Sequence, residues 1–331
     1  MKKFLIPFVL GLVSLSHANL KIVTTTADLA SIAKLVGGKA VTASSIITGS
    51  RDAHRIEAKP SYMSRVAGAD VFIAVGLDLE VGYERAILDG ARNGKVMLGR
   101  PGHIYASDFA YILDKPTGAI TRGHGDIHPG GNPHVLLDPY NGRRIGIGLA
   151  RKFQQLDRAN AAVYEANLKA FLNRLDSAMF GAAQVDKFGA ESLWQWHNAG
   201  NFRAAMASKG SSAGGWSAKA QELFGRPVFS YHRSFPYLAR RFGFRVIDEL
   251  EPKPGLEPSP GHLASLIRSG QEQSVKVIIQ EPFFSAKSAN LVASRIGAKV
   301  AVLPQSVGQA PGADDYIMLF DVIVQRLAEA L

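Results

Sequence analysis

Residues 21–38 read Lys-Ile-Val-Thr-Thr-Thr-Ala-Asp-Leu-Ala-Ser-Ile-Ala-Lys-Leu-Val-Gly-Gly, and this stretch predicts the fold class. Its first part, residues 21–26, is rich in β-branched residues and indicates a strand. Apolar residues then recur at positions 29, 32, 33 and 36, the spacing of an amphipathic helix, and two glycines end it. A strand followed directly by a helix is the building unit of α/β proteins.

The same alternation continues through both halves of the chain. We therefore predict an α/β fold of two lobes, each with a parallel-type sheet flanked by helices. The predicted strands of the first half are 41–47, 71–74 and 95–98, and its further helices are one opened by Pro60 and one at 79–92. The predicted strands of the second half are 227–230, 245–247, 275–280 and 299–303, with helices through residue 238, at 260–271, at 286–296 and after Asp314-Asp315.

The middle of the chain indicates how the lobes are connected. Residues 115–134 hold three prolines, five glycines and three histidines, which is typical of a surface loop. A helix capped by Asp157 is then predicted over 158–184, about 40 Å long at 1.5 Å per residue, and a helix of that length can join two lobes as a rigid rod. The predicted organisation is a signal peptide at 1–18, a first lobe at 19–139, linking helices at 140–186 and a second lobe at 187–331, in which the Gly/Ser-rich segment 189–218 has no assigned structure.

The first eighteen residues have the composition of a secretory signal peptide. Two lysines precede an apolar run at 4–15 that is too short to span a membrane, and Ser16-His17-Ala18 is a small-x-small cleavage site. An uncleaved anchor is the alternative. The sequence contains no cysteine, which excludes disulfides, thiolate ligands and lipidation of an N-terminal cysteine. These features predict a periplasmic protein without a lipid anchor.

Composition narrows the class of protein further. A length of 331 residues favours two domains, and 47% hydrophobic with 20% charged residues is typical of a globular protein. The formal net charge is +10, but the lysines and arginines are scattered rather than clustered among aromatic residues. We therefore expect no nucleic-acid binding.

Three histidines occupy comparable positions relative to the predicted strands. His54 follows the strand at 41–47 by one loop, His232 follows the strand at 227–230, and His134 lies in the loop before the linking helices. Ligands of α/β sheets collect at the carboxyl ends of strands, so these side chains could meet in one cleft. Three imidazoles in one place form a site for a divalent metal, with zinc favoured and manganese as the alternative.

A fourth ligand would complete a tetrahedral site. Glu281 follows the strand at 275–280 and Gln305 follows the strand at 299–303, so both are candidates, and water is a third. His124 and His128 lie four residues apart in the Gly-rich loop and form either an accessory metal collector or a solvated loop. Three more histidines and one aspartate are predicted to be structural or solvated: His103, His197, His262 and the turn or cap residue Asp138.

The surroundings of these histidines resemble motifs of the periplasmic metal-binding proteins that serve zinc- and manganese-importing ABC transporters. The motifs are Asp-Ala-His54, Asn-Pro-His134-Val-Leu-Leu-Asp-Pro, Tyr-His232-Arg-Ser-Phe-Pro-Tyr and Glu281-Pro-Phe-Phe-Ser, and the resemblance covers nearly the whole mature chain. It implies two α/β lobes joined by one long helix, with Zn²⁺, or Mn²⁺ as the alternative, held between them. The implied partners are an inner-membrane ABC permease and its ATPase, and a monomer is expected.

One departure from the family pattern concerns the fourth ligand. The family usually carries an aspartate after the last strand of the site, where this chain reads Leu-Pro-Gln305-Ser. Histidine rather than glutamate at position 232 points to the zinc branch of the family.

Three other functions are compatible with the same residues. A zinc hydrolase could use the three histidines with Glu281 as general base, although the sequence has no His-Glu-x-x-His motif. A binding protein of the same fold for a metal chelate and an adhesin-like surface protein are the others. We predict metal capture and delivery, without enzymatic activity.

Overall fold

Two four-stranded, all-parallel sheets organise the fold, one in each half of the chain, and they confirm the predicted α/β architecture. The computed structural model describes residues 19–118, 128–253 and 255–331. The first sheet has the order β2-β1-β3-β4 and the second the order β6-β5-β7-β8, where the strands are β1 (Leu20–Thr24), β2 (Val41–Ser45), β3 (Val71–Ala74), β4 (His103–Tyr105), β5 (Pro227–Ser230), β6 (Arg245–Glu249), β7 (Val277–Gln280) and β8 (Lys299–Val302).

Helices cover both sheets and connect them. Strands β3 and β7 are buried along their whole length, as expected for parallel sheets that are packed on both faces. The helices of the described residues are α1 (Ala27–Gly37), α2 (Pro60–Ala67), α3 (Glu84–Ala91), α4 (Pro139–Leu156), α5 (Ala161–Phe180), α6 (Ala182–Phe188), α7 (Ala190–Asn198), α8 (Phe202–Ser208), α9 (Gly215–Lys219), α10 (Pro236–Phe242), α11 (Pro260–Glu272), α12 (Ala286–Ile296) and α13 (Tyr316–Ala330).

Local sequence explains where the main helices begin and end. The Thr26 side chain accepts a hydrogen bond from the backbone N–H of Leu29 at the start of α1, and Gly38 ends that helix with a φ of +54°. At the start of α13, Asp315 accepts hydrogen bonds from the N–H groups of Ile317 and Met318, each at 2.8 Å. Helix α13 is also joined to α1, because the Tyr316 N–H donates a hydrogen bond to Ser31 Oγ at 2.9 Å.

The long linking helix is present but shorter than predicted. Helix α5 has 20 residues, about 30 Å, instead of extending over 158–184. It ends before Gly181, whose φ is +86°, and a single 3-10 turn precedes it at 158–160. Asp157 accepts hydrogen bonds from the Tyr164 hydroxyl at 2.7 Å and the Asn160 amide at 2.8 Å, so it bonds to side chains rather than to the first amides of α5.

Three local predictions in the fold were wrong or incomplete. Residues 95–98 form turns, and the edge strand of the first sheet is β4; Val96 is buried without belonging to a strand. The helix predicted at 79–92 is restricted to α3, because residues 79–83 form turns and Arg92, with a left-handed φ of +50°, ends the helix. The unassigned segment 189–218 is largely helical and contains α7, α8 and α9.

One continuous apolar core joins the two lobes. It includes residues of both sheets together with α4, α5 and α13, such as Ile22, Phe171, Val228 and Phe320. A packed core of this kind resists large rotations of one lobe against the other. Among the residues that the structure describes, no helix combines the length and the apolar character needed to cross a bilayer. The signal peptide predicted at 1–18 lies outside the described residues.

Candidate metal centre

His54, His134 and His232 lie together, although they are far apart in sequence. Each offers one ligand atom within 4.8 Å of the others, and all three residues are partly buried. Their ring centroids are separated by 5.2 Å, 5.6 Å and 5.8 Å. Ring nitrogens that bind one zinc ion stand about 2 Å from it, so small ring movements suffice to place a cation among them. The donor set therefore fits a divalent metal.

His54 is oriented by a neighbouring carboxylate. Asp52 Oδ1 lies 3.0 Å from His54 Nδ1 and also accepts the His54 backbone N–H at 2.9 Å. Burial acts to raise the pKa of Asp52, but the contacts with His54 outweigh it and hold that pKa below its usual value. An ionised Asp52 accepts a hydrogen bond from Nδ1–H, which leaves the lone pair of Nε2 for a metal.

Glu251 has the same role for His232. Its Oε2 lies 2.6 Å from His232 Nδ1 and also accepts the backbone N–H of Gly255 at 3.1 Å. The Glu251 side chain is only 5% exposed, so this contact is largely shielded from water. Glu251 is not among the site residues predicted from the sequence, although its position two residues after β6, at the carboxyl end of a strand, marks it as a candidate.

His134 is placed by a loop that connects the two lobes. Its backbone N–H donates to Asn132 Oδ1 at 3.0 Å, and the Asn132 amide donates across the lobe boundary to the Arg233 carbonyl at 2.9 Å. Burial, and then the neighbouring His54 and His232, lower the pKa of His134 well below its usual value. Its imidazole is therefore neutral at physiological pH, which is the form that binds metals.

The accessory histidine His128 also lies at this centre. Its ring centroid is 5.3 Å from that of His54, and it lines a cavity of about 330 Å³ together with His134 and His232. The other predicted accessory residue, His124, lies outside the described residues. Of the two accessory histidines predicted in the loop at 115–134, His128 therefore lies next to the group formed by His54, His134 and His232.

Glu281 is close to the centre but bonded elsewhere. It does not belong to the described group of ligand atoms within 4.8 Å. It is fully buried, and its Oε1 accepts hydrogen bonds from Ser234 Oγ at 2.5 Å and Gln305 Nε2 at 3.0 Å. Burial raises the pKa of Glu281 to about 8, so the neutral acid predominates at pH 7. Gln305 lines a second cavity, of about 50 Å³, together with His54 and His134.

Replacing Glu281 by glutamine should stabilise the metal-free protein at high pH and not at low pH. Because folding raises the pKa of Glu281 from 4.5 to about 8, the contribution of this carboxyl to the free energy of unfolding is fully present below pH 4.5. It is lost as the pH rises through about 8. Glutamine does not titrate, so the gain at pH 8.5 should approach about 5 kcal/mol at most, because each pH unit between 4.5 and about 8 corresponds to about 1.4 kcal/mol. Urea unfolding at pH 4.5 and pH 8.5 measures it.

The exposed carboxylate Glu272 provides the control for that measurement. Glu272→Gln should leave the free energy of unfolding nearly unchanged at both pH values. If Glu281→Gln shifted stability by the same amount at both pH values, the carboxyl would not be protonated in the native state.

Three other histidines of the described residues lie outside the group and have structural partners. His103 Nε2 is 2.9 Å from a Glu84 oxygen, and His262 Nε2 is 2.9 Å from the Glu249 carbonyl oxygen. Burial, and then Arg241, lower the pKa of His197 to about 3. Asp138 caps α4 and is paired with Arg241, so it has the structural role that its Asp-Pro context predicts.

Comparison with known proteins gives a consistent result. The model of the family described as zinc-uptake complex component A, periplasmic, matches residues 22–181 and 201–330. A crystal structure of ZnuA superposes with a TM-score of 0.68 at 21% identity, covering 95% of this chain and 99% of that one. A manganese-bound periplasmic metal-binding protein from Candidatus Liberibacter asiaticus gives a TM-score of 0.65 at 18% identity, covering 93% of this chain and 98% of that one.

The names of proteins with related sequences mention different metals. The high-affinity zinc uptake system protein ZnuA of Bacillus subtilis (strain 168) is 25% identical over 200 residues, 60% of this chain and 52% of its own. An iron ABC transporter substrate-binding lipoprotein, MtsA, of Streptococcus pyogenes serotype M1 is 27% identical over 158 residues, 48% of each protein. The chain thus spans about half the length of these two relatives.

The family match, with the named relatives, defines a metal-binding substrate-binding protein of an ABC transporter, which is a transport protein and not an enzyme. The likeness to the solved structures shows the shared fold. The chain belongs to the family of zinc-uptake complex component A.

Proposed function

We propose that this protein captures a divalent metal ion, zinc in preference to manganese, between its two lobes and delivers it to an ABC importer. The observation that supports this most directly is the group formed by His54, His134 and His232, whose ligand atoms lie within 4.8 Å of one another. His54 and His134 come from the first half of the chain and His232 from the second, so a bound ion would connect the lobes.

The choice of zinc follows from ligand chemistry. Imidazole nitrogens suit zinc, whereas manganese favours carboxylate and water oxygens. In this proposal the three histidines are ligands, and Glu281, Gln305 or water occupies the fourth position. Of these, Glu281 offers a buried Oε2 atom without a hydrogen-bond partner among the described residues, and a bound cation would favour its ionised form.

Delivery requires an inner-membrane permease and its ATPase as partners. We place the protein in the periplasm as a monomer, where it collects the ion and presents it to the permease with surfaces of both lobes. The continuous core between the lobes supports a modest closure around the ion instead of a wide hinge motion.

The test is a zinc titration of the metal-free protein. One tightly bound zinc ion per chain is expected in competition with a chromophoric chelator, with much weaker binding of manganese. Elemental analysis of protein purified from its native compartment should show zinc. Stoichiometric manganese or iron there, or no tight zinc binding in the titration, would refute zinc as the cargo.

Replacing Glu251 by glutamine should weaken zinc binding about 10- to 100-fold, because this carboxylate orients His232 and increases its basicity. The same competition titration measures the change. Glu257→Gln, at an exposed position six residues along the chain, is the matched control and should retain wild-type affinity. Equal zinc affinities of the two variants would show that Glu251 does not support the metal site.

A further inference from the structure

The second lobe contains a cavity that the candidate metal centre does not use. Its volume is about 340 Å³, within the range of small-molecule sites in proteins, and its walls come from the end of α7 and from α8, α9 and α10. Among the described residues, it shares no lining residue with the two cavities beside the histidine group. We propose that this cavity binds a small organic carboxylate with an aromatic body, independently of the metal.

The interior of the cavity is apolar. Phe202 and Phe242 line it, and each is only 6% exposed. The short side chains of Ala204, Ala213 and Ala220 also line it and leave the space between the helices open. Walls of this kind bind the hydrocarbon part of a ligand, because both surfaces are removed from water.

Phe224 gives the cavity an exposed aromatic wall. This residue is 60% exposed, and its ring packs closely on the backbone of Gly243, where a Cβ would lie 2.4 Å from a ring carbon. The Arg203 guanidinium lies 5.0 Å from the ring centroid. The ring is therefore held in place although much of it faces water. An aromatic ligand that stacks on it would cover apolar surface with little further loss of side-chain entropy.

The charge of the lining favours an anionic ligand. Arg203 and Arg240 are exposed residues of the lining, and each stacks on an aromatic ring. Among the described residues, neither forms an ion pair, whereas the third arginine of the lining, Arg241, is paired with Asp138. The described lining contains no aspartate or glutamate. Because a planar guanidinium binds a carboxylate through two parallel hydrogen bonds, a carboxylate complements this lining better than a neutral group does.

A hydroxyl of the same lining lacks a hydrogen-bond partner. Ser217 Oγ is buried, and no group of the described residues bonds to it. A buried hydroxyl without a partner is costly, and native proteins rarely retain one without a reason. A carboxylate has two oxygens that accept several hydrogen bonds, so a ligand of this class can supply the missing acceptor in addition to binding a guanidinium.

The experiment is an NMR titration of the isotope-labelled, metal-free protein with 2-naphthoate. A dissociation constant of about 1 mM or below is expected, with the largest shifts at amides of α8, α9 and α10. The amide 2-naphthamide, which has the same body without the charge, should bind about tenfold more weakly. Arg203→Gln should lose about tenfold in affinity for 2-naphthoate for the same reason. Ala204→Trp, which fills the cavity from an exposed position, should abolish binding.

Arg268→Gln is the matched control, because Arg268 is an exposed arginine of α11 outside the cavity, and it should bind 2-naphthoate as the wild type does. Zinc affinity of Arg203→Gln should equal that of the wild type, so the result does not depend on the proposed function.

Three results would overturn the proposal. They are equal affinities for the acid and its amide, equal affinities of Arg203→Gln and the wild type, and no shifts in these helices at about 10 mM 2-naphthoate. Sedimentation that shows a dimer of the wild type and a monomer of Ala204→Trp would also overturn it, because a second copy of the chain would then occupy this face.

Discussion

Simultaneous replacement of His54, His134 and His232 by alanine should abolish tight zinc binding, and each single replacement should reduce zinc affinity about 1,000-fold. A direct ligand contributes more than an outer-shell partner, whose loss already costs 10- to 100-fold. The three residues supply every ligand atom of the group within 4.8 Å, so the triple variant retains none of it. Competition titration with a chromophoric chelator measures the affinities.

The variants must remain folded for this measurement to be informative. The three histidines are partly exposed and lie at the ends of strands or in loops, so alanine should cost little stability in the metal-free protein. Circular dichroism and thermal unfolding without metal check this. Zinc affinity equal to that of the wild type in a folded triple variant would place the metal site elsewhere.

The elements of the fold could largely be predicted because hydrophobic periodicity and glycine positions are local signals. Strands β3 and β5 and helix α12 have the predicted bounds. The strand predicted at 95–98 failed because an apolar side chain such as Val96 can be buried under a turn without pairing. Pairing partners are set by the tertiary structure, which here assigns the sheet edge to β4 instead.

The histidine group could be predicted for a related reason: its members follow strand ends or lie in Pro/Gly-rich turns, and one rule brings such positions together. The hydrogen-bond partners of these histidines could not be predicted from the sequence. Asp52 is two residues from His54, but Glu251 is 19 residues from His232, and its position after β6 does not indicate which histidine it contacts. The hydrogen bonds of Glu281 depend in the same way on Ser234 and Gln305.

Arg241→Met should destabilise the metal-free protein by about 3–5 kcal/mol, the cost of leaving one member of a buried ion pair without its partner. Asp138 is completely buried, and Arg241 donates to its two oxygens at 2.7 Å and 2.9 Å. Asp138 also caps α4 through the Tyr140 N–H at 2.8 Å. The pair thus fastens α10 of the second lobe to the start of the linking helices. Urea unfolding measures the loss.

Arg240→Met is the matched control, because Arg240 is the exposed neighbour and its guanidinium only stacks on Tyr111 at 5.2 Å, a contact worth about 1 kcal/mol or less. The double variant Asp138→Asn with Arg241→Met should recover part of the lost stability, since asparagine keeps the cap and removes the uncompensated charge. Equal stabilities of the two arginine variants would show that the charge of Asp138 is compensated without Arg241. Because the pair fastens the lobes rather than binding the ion, zinc affinity of folded Arg241→Met should stay within about tenfold of the wild type.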